Sequence, residues 1–291
     1  MSGFTLVDVG KLAKPATVLI EKISSAVGII YEPTQIRRKA SAEADARKTT
    51  ALAALEVSDI QKRALERLVH QEERKQANIE SITSQAISTL PNEANTEALE
   101  EDWLAHFFKQ CDTVSDKDMQ SLWARLLAGE AAVPGRFSKR TVDFVATFDK
   151  RDAELFTKFS QFVWRFNDAG PVIYDVSHQI YADQGLTFQS LVHLDSIGLI
   201  THSHVGGYSR TWAGTSGVIV YYDQVLIVEF AGGQNNKIAT GSCLLTSVGQ
   251  ELLPICGANK NEAFFEYVVN KWASEGVCLF SPQRYSAPPH I

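Results

Sequence analysis

A His-x-His pair, His202 and His204, is the best candidate for metal binding in this sequence, and His193 lies nearby along the chain. On a strand, both imidazole rings would point to one face, because alternate side chains of a strand share a face. A fixed zinc site needs three or four ligands, and no Asp, Glu or Cys lies at an obvious spacing from these histidines. We therefore expect polar loop histidines here and no metal site.

Two further features resemble catalytic or phosphate-binding elements without their full pattern. The acidic run at 100–102 contains adjacent carboxylates, which diverge around a helix, so the first turn of a helix is the better interpretation. The glycine pairs at 206–207 and 232–233 lack the frames that cradle phosphates, and they indicate turns. Since GxSxG, HExxH and protein-kinase signatures are also missing, we predict no enzyme, no catalytic residue and no cofactor.

A polar cluster surrounds the turn at Pro134-Gly135. Its members are Glu130, Arg136, Ser138 and Arg140. In the structural interpretation, Ser138 caps a helix and Glu130 pairs with one of the two arginines. In the functional interpretation, the cluster is a surface that a partner uses, and we keep it as a candidate interaction surface.

Composition and charge exclude several classes of protein. With 45% hydrophobic and 21% charged residues, the chain is globular, and its 291 residues predict about two domains. A net charge of −6 gives no global attraction to nucleic acid phosphates. Four cysteines without a CxxC pair are typical of free thiols in a reducing cytosol. Because the first residues lack a secretory pattern and no stretch approaches the roughly 20 apolar residues of a membrane span, we predict a cytoplasmic protein.

An amphipathic helix is predicted over residues 16–30. Apolar residues recur in it at a spacing of three and four, and they are Leu19, Ile23, Val27 and Ile30. Glu32-Pro33 would end the helix, because a residue before proline is pushed out of the α region. The apolar face either packs on the protein or lies on a membrane surface, and a polar face poor in Lys and Arg favours packing.

A long polar segment without proline or glycine follows, over residues 35–90. Its good helix formers predict a long helix, and Ser58 with Gln61 resembles a capping box at which the helix restarts. Two arrangements remain open for this helix. It projects and packs on a partner or on a second copy, or it folds back on its own chain.

Large aromatic residues predict an orthogonal bundle of four short helices over residues 91–167. The apolar anchors include Trp103, Phe107, Leu122, Trp123, Phe156 and Phe159. The predicted N-caps of three of these helices are Ser115, Ser138 and Asp149. We expect the apolar stripe of the last helix to continue to Phe166.

The run LWARLLAGE at 122–130, followed by Pro134-Gly135 and the SKRT run at 138–141, resembles a bacterial family of uncharacterised proteins that is catalogued as a domain of unknown function. The resemblance covers most of residues 1–165 and implies no activity. The same run is also similar to the Abi-alpha family, which is linked by its name to abortive infection of phage-attacked bacteria. That second similarity implies a role in phage defence.

Residues 168–291 are richer in glycine and β-branched residues, and two stretches resemble a winged helix: SLVHLDSIGLI at 190–200 and LLTSVGQELL at 244–253. The helix over 188–197 would be the recognition helix, but it carries no Lys or Arg to meet phosphates and base edges. A shape used for protein contacts is therefore favoured over DNA binding. Weak candidates for a nucleic-acid or partner contact are Gln189, Ser190, His193 and Arg210.

The predicted fold class is α+β, with a mainly helical N-terminal two thirds that holds a long helix and an orthogonal helical bundle, followed by a C-terminal winged-helix-like α/β module. The predicted domains are 1–90, 91–167 and 168–291. The predicted function is that of a cytoplasmic bacterial interaction or regulatory protein, bound to a protein partner or homo-oligomeric, with a role in phage defence. The alternatives are a winged-helix DNA-binding regulator and a membrane-acting abortive-infection effector.

Overall fold

The computed structural model describes residues 13–28, 58–233 and 235–281. The chain forms two compact units, residues 1–148 and 149–291. The first unit is helical where it is described, and the second combines helices with antiparallel strands, which confirms the α+β class. The domain limits at 90 and 167 stay a prediction. None of the described helices has the length and apolarity needed to cross a membrane.

The first unit packs its helices in pairs. Its elements are α1 (Lys14–Val27), α2 (Asp59–Thr89), a 3₁₀ turn (Thr96–Ala98), α3 (Glu101–Cys111), α4 (Lys117–Ala132) and α5 (Lys139–Ala146). Helix α1 packs on α3, α2 on α4, and α3 on α5. The predicted aromatic anchors Trp103, Phe107 and Trp123 are buried in the core, with Phe107 and Trp123 in edge-to-face contact.

Helix α1 ends earlier than the sequence suggested. It stops at Val27 because Gly28 adopts a left-handed conformation with φ of 72°, which costs a glycine little, and its N–H donates to the Ser24 carbonyl. Glu32-Pro33, the predicted stop, lies outside the described residues. The apolar face is buried as expected for packing, with Leu19 and Ile23 covered by the protein.

Helix α2 begins at the predicted capping box, in which the Ser58 hydroxyl accepts from the Gln61 backbone N–H while the Gln61 side chain accepts from the Ser58 N–H. Its first half is exposed, and its second half packs on α4. There Asn78 donates to the Asp112 carbonyl at 2.8 Å, and Gln120 donates to the Asn78 side chain at 3.0 Å. These amides are buried with their hydrogen bonds satisfied, so they fix the position of α2 on α4.

The N-cap of α4 is Asp116, and the prediction of Ser115 was wrong by one residue. The Asp116 carboxylate accepts from the backbone N–H groups of Asp118 and Met119, each at 3.0 Å. The Ser115 hydroxyl accepts from the Asn78 side chain at 3.2 Å. A contact distant in sequence therefore decided between two adjacent residues that both suit a cap.

The second unit contains short helices and nine described strands. The helices are α6 (Lys150–Ser160), α7 (Gln179–Ala182), α8 (Phe188–Ser196), α9 (Ser247–Leu252), a 3₁₀ turn (Leu253–Ile255) and α10 (Glu262–Ser274). The strands are β1 (Val163–Arg165), β2 (Ala169–Pro171), β3 (Ile200–His202), β4 (Tyr208–Trp212), β5 (Ser216–Tyr221), β6 (Gln224–Glu229), β7 (Asn236–Gly241), β8 (Cys243–Leu245) and β9 (Cys278–Phe280). Asp149 caps α6 as predicted, but the chain leaves the helix at Ser160 and enters β1, well before Phe166.

A five-stranded antiparallel sheet has the strand order β2-β1-β5-β6-β9. Strands β5 and β6 form the predicted hairpin, with Val220 opposite Val225 and Ile219 opposite Leu226. One face of the sheet is buried against an aromatic cluster. That cluster joins Trp164 of β1 and Tyr221 of β5 to Phe264, Phe265 and Trp272 of α10.

The two halves of the winged-helix pattern do meet. Helix α8 leads into β3, which pairs antiparallel with β8, and β8 leads into α9. Thr187 caps α8 and Gly198 follows the helix in the left-handed region, both as predicted. A simple wing does not join β3 and β8, because β4 pairs with β7 and the hairpin between them belongs to the five-stranded sheet.

Candidate interaction surface

Glu130, the first residue of the predicted polar cluster, lies inside the first unit with 3% of its surface exposed. Its carboxylate accepts from the backbone N–H of Gly135 at 2.6 Å and from that of Phe137 at 2.8 Å. Burial raises the pKa of Glu130, and the hydrogen bonds from the backbone oppose that rise. Glu130 therefore holds the turn from inside through backbone N–H groups, where the sequence suggested an arginine partner.

Phe137 explains other residues of the same motif. Its ring occupies the space beside Gly129, since a Cβ there would lie 2.7 Å from the Phe137 Cε2 atom. The Trp103 indole N–H donates to the Phe137 carbonyl at 2.8 Å. Gly129, Glu130 and Phe137 thus form one packing unit that fixes the turn after α4.

The remaining members of the cluster are exposed. Ser138 caps α5 as predicted, because its hydroxyl accepts from the Thr141 backbone N–H. The Arg136 guanidinium lies 5.5 Å from the centre of the Phe137 ring. Arg140 lies on the first turn of α5. Glu130 is therefore held by backbone N–H groups, that of Arg136 among them, and a partner-binding role for this turn stays a prediction.

The weak candidates of the second unit have local partners. Ser190 completes the capping box of α8 with Thr187, and His193 Nε2 lies 2.6 Å from an Asp152 carboxylate oxygen on α6. On β4, Arg210 forms an ion pair with Asp168 at 3.0 Å and lies over the Phe166 ring. Gln189 is exposed on α8. No described contact joins Arg210 to the α8 residues, so the structure does not assemble these four into one site.

His202 and His204 do come together, with ring centres 4.7 Å apart and the Phe188 ring beside both. His202 is buried, its Nδ1 atom has no hydrogen-bond partner, and burial lowers its pKa, so the neutral ring is favoured. Within 13–28, 58–233 and 235–281, no group of three His, Cys, Asp or Glu side chains could hold a metal ion.

The second unit also presents an apolar sheet face that the sequence reasoning missed. We call it the outer face and define it by Val218, Val220, Val225, Ile227 and Phe280. The strand register places Val220 opposite Val225, and Ile227 between Val218 and Phe280, so all five side chains share one side. Val218 is 54% exposed and Phe280 49% exposed. A contiguous exposed apolar patch is a mark of an interaction site.

A sequence signal for this face exists. The runs over 217–222 and 225–230 are apolar at odd and even positions alike. In an antiparallel sheet with one face on the core, alternate residues are normally polar and face water. A hairpin that is apolar on both faces indicates a second surface to cover, and identifying its members requires the register of β1 and β9.

Charged residues occupy two opposite corners of the outer face. Arg165 of β1 lies in the row of Val220 and Val225, while Glu229 of β6 lies at the far end, opposite Ser216. Neither the guanidinium nor the carboxylate forms an ion pair with a described residue. A positive corner and a negative corner therefore flank an apolar centre.

A cavity of about 520 Å³ opens at the Arg165 corner. It is lined by Ser160, Val163, Arg165, Val220, Tyr222, Leu253, Pro254, Gly257 and Ala258. Tyr222 lies in the hairpin turn with φ of 52°, a left-handed conformation that is uncommon for a residue other than glycine. Burial raises the pKa of its phenol to about 12, so the group is a neutral hydrogen-bond donor at physiological pH.

Fold and surface define a two-unit α+β protein with an exposed apolar sheet face. Residues 62–269 match a family described as Protein of unknown function (DUF2806), and the chain belongs to that family. The match confirms the predicted membership and reaches beyond residues 1–165 into α10. Nothing in it supports the similarity to the Abi-alpha family. No curated protein and no solved structure matches the chain.

Proposed function

We propose that this protein acts without catalysis, as an interaction protein that self-associates, and that a second copy packs on the outer face. The observation that carries the proposal is the apolar row of Val218, Ile227 and Phe280 across three strands, in which Val218 and Phe280 are exposed and Ile227 is half-buried. Exposed side chains of this kind lose unfavourable contact with water when a partner covers them, at about 25 cal/mol for each Å².

The two charged corners favour a second copy over an unrelated partner. Most homodimers have a two-fold axis, so the same patch meets itself and each contact occurs twice. A two-fold axis can bring Arg165 of one copy beside Glu229 of the other, with the reciprocal pair on the opposite side. One surface thus supplies both charges that the interface needs.

The apolar centre alone is small for a stable interface. A typical one buries about 800 Å² on each partner, which is more than five side chains provide. We therefore expect the contact to include its polar surroundings, with Ser216 and Gln224 at the rim.

Sedimentation velocity of the full chain over a range of concentrations tests the proposal. Val218→Gln combined with Phe280→Gln should weaken association by about tenfold or more, as apolar area is lost. Val205→Gln is the matched control, because Val205 is 91% exposed on a loop of the same unit and lies off the outer face. The control should associate like the wild type.

A charge exchange makes the test specific. Arg165→Glu and Glu229→Arg should each weaken association by about tenfold, since two attractive pairs become repulsive. The double variant should recover most of the affinity. The proposal would be refuted by a wild-type chain that stays monomeric at every concentration. It would also be refuted by a double variant that associates no more tightly than the two single variants.

The proposal keeps a bacterial cytoplasmic setting, with which four free cysteines are compatible. It leaves out phage defence, because that role depended only on the similarity to the Abi-alpha family. DNA binding is less favoured, since α8 carries no Lys or Arg. Membrane binding through α1 is less favoured, since Leu19 and Ile23 are buried.

A further inference from the structure

The cavity beside Arg165 has the mixed lining of a small-molecule site. Val163, Val220, Leu253 and Pro254 supply apolar walls, and Arg165 and Tyr222 supply polar groups. Its volume of about 520 Å³ falls within the range of roughly 300–1,000 Å³ that is usual for ligand pockets.

Both polar groups are available to a ligand. The Arg165 guanidinium and the Tyr222 phenol form no hydrogen bond or ion pair with any side chain in the described ranges. The nearby Lys260 ammonium pairs with the Asp223 carboxylate of the hairpin turn at 3.1 Å and with the Glu262 carboxylate of α10 at 2.7 Å. Both of these carboxylates therefore have a cation partner other than Arg165.

We infer that this cavity binds a small organic anion whose charged group pairs with Arg165 and accepts from the Tyr222 hydroxyl. An apolar body on the same molecule packs against Val163, Val220 and Pro254. A guanidinium can donate two parallel hydrogen bonds to a carboxylate or a phosphate, so either head group suits the site. The inference does not rest on self-association, although ligand and second copy would compete for Arg165.

Methyl-detected NMR of the full chain, with labelled valine and leucine, tests the site directly. The background is the Val218→Gln, Phe280→Gln variant, in which competition from a second copy is weakened and neither changed residue lines the cavity. Phenylacetate and phenyl phosphate are the anionic probes, and 2-phenylacetamide is the neutral isostere. At least one anion should shift the methyls of Val163, Val220 and Leu253 and bind about fivefold tighter than the amide, a ratio equivalent to about 1 kcal/mol.

Variants then separate the site from a general charge effect. Arg165→Gln should remove the preference for the anion, and Tyr222→Phe should reduce it by about twofold to threefold, as one hydrogen bond is lost. Arg140→Gln, which removes a positive charge from α5, should bind like the background. Ala258→Phe should fill the cavity and abolish the methyl shifts.

Equal binding of anions and amide, anion binding unchanged by Arg165→Gln, or shifts confined to methyls outside the cavity would overturn the inference. Wild-type chain that is monomeric in sedimentation but binds the anions would refute self-association alone. Self-association of the wild-type chain, together with no anion binding by the Val218→Gln, Phe280→Gln background, would refute the cavity site alone.

Discussion

The Glu130 carboxylate accepts a hydrogen bond from the Phe137 backbone N–H at 2.8 Å. This buried acid of α4 thereby orients the turn that places the Phe137 ring against Gly129 of the same helix. Glu130→Gln should reduce the free energy of unfolding by about 1–3 kcal/mol, because the amide sets an NH₂ group against one of the two backbone N–H donors. Urea unfolding followed by tryptophan fluorescence measures the loss, and Arg140→Gln is the exposed control.

The same residue predicts a pH dependence. Burial raises the pKa of Glu130 above its ordinary value of 4.5, so the folded protein holds this proton more tightly than the unfolded chain does. Its contribution to stability is fully present below pH 4.5 and declines as pH rises through the raised pKa. The difference in unfolding free energy between wild type and Glu130→Gln should therefore shrink with rising pH, and a growing difference would contradict this.

Gly129→Ala should destabilise the first unit although alanine is the better helix former. Alanine gains about 1 kcal/mol of helix propensity. Its Cβ would lie 2.7 Å from the Phe137 ring, and overpacking a filled site costs about 1–3 kcal/mol. In a double-mutant cycle with Phe137→Leu, the smaller side chain should relieve much of the cost of the alanine. If the losses of unfolding free energy from the two substitutions are additive, the Phe137 ring is not the reason for glycine at position 129.

Asp116→Ala should cost about 1 kcal/mol of stability, because two backbone N–H groups at the start of α4 lose their acceptor. Asp116→Asn should retain most of that stability, since asparagine is an equally good cap. Chemical denaturation of the three proteins measures the order. If both substitutions reduce stability equally, the contribution of Asp116 comes from its charge and not from its hydrogen bonds as a cap.

Helix α8 should not bind duplex DNA. Its exposed residues include Gln189 and His193, and it has no lysine or arginine to displace counterions from phosphates. Fluorescence anisotropy with a labelled duplex at low salt should show no binding. A salt-dependent affinity that falls in Gln189→Ala would restore the DNA-binding alternative.

Helix caps and the hairpin could be predicted from the sequence, because they depend on residues that are close together along the chain. Ser58 with Gln61, Thr187 and Asp149 each cap a helix as predicted, because the groups they satisfy lie within three residues. The hairpin around Asp223 was predictable for the same reason.

Features that depend on distant residues were missed. The choice of Asp116 over Ser115 depends on Asn78, and the partners of Glu130 are backbone groups that only the folded turn presents. The outer face is the clearest case, because Arg165 and Phe280 join the hairpin through strands far apart in the chain. The apolar residues on both faces of β5 and β6 predict a second apolar surface, but they do not identify the residues that other strands contribute to it.

The position of β9 matters for a chain that is still being synthesised. It is the last described strand, and until Cys278–Phe280 has been made the backbone edge of β6 has nothing to pair with. At that stage the apolar hairpin lies beside an open strand edge, a combination that invites pairing with other chains. The nascent protein is thus most exposed to aggregation just before β9 pairs with β6, and chaperone protection would matter most during that interval.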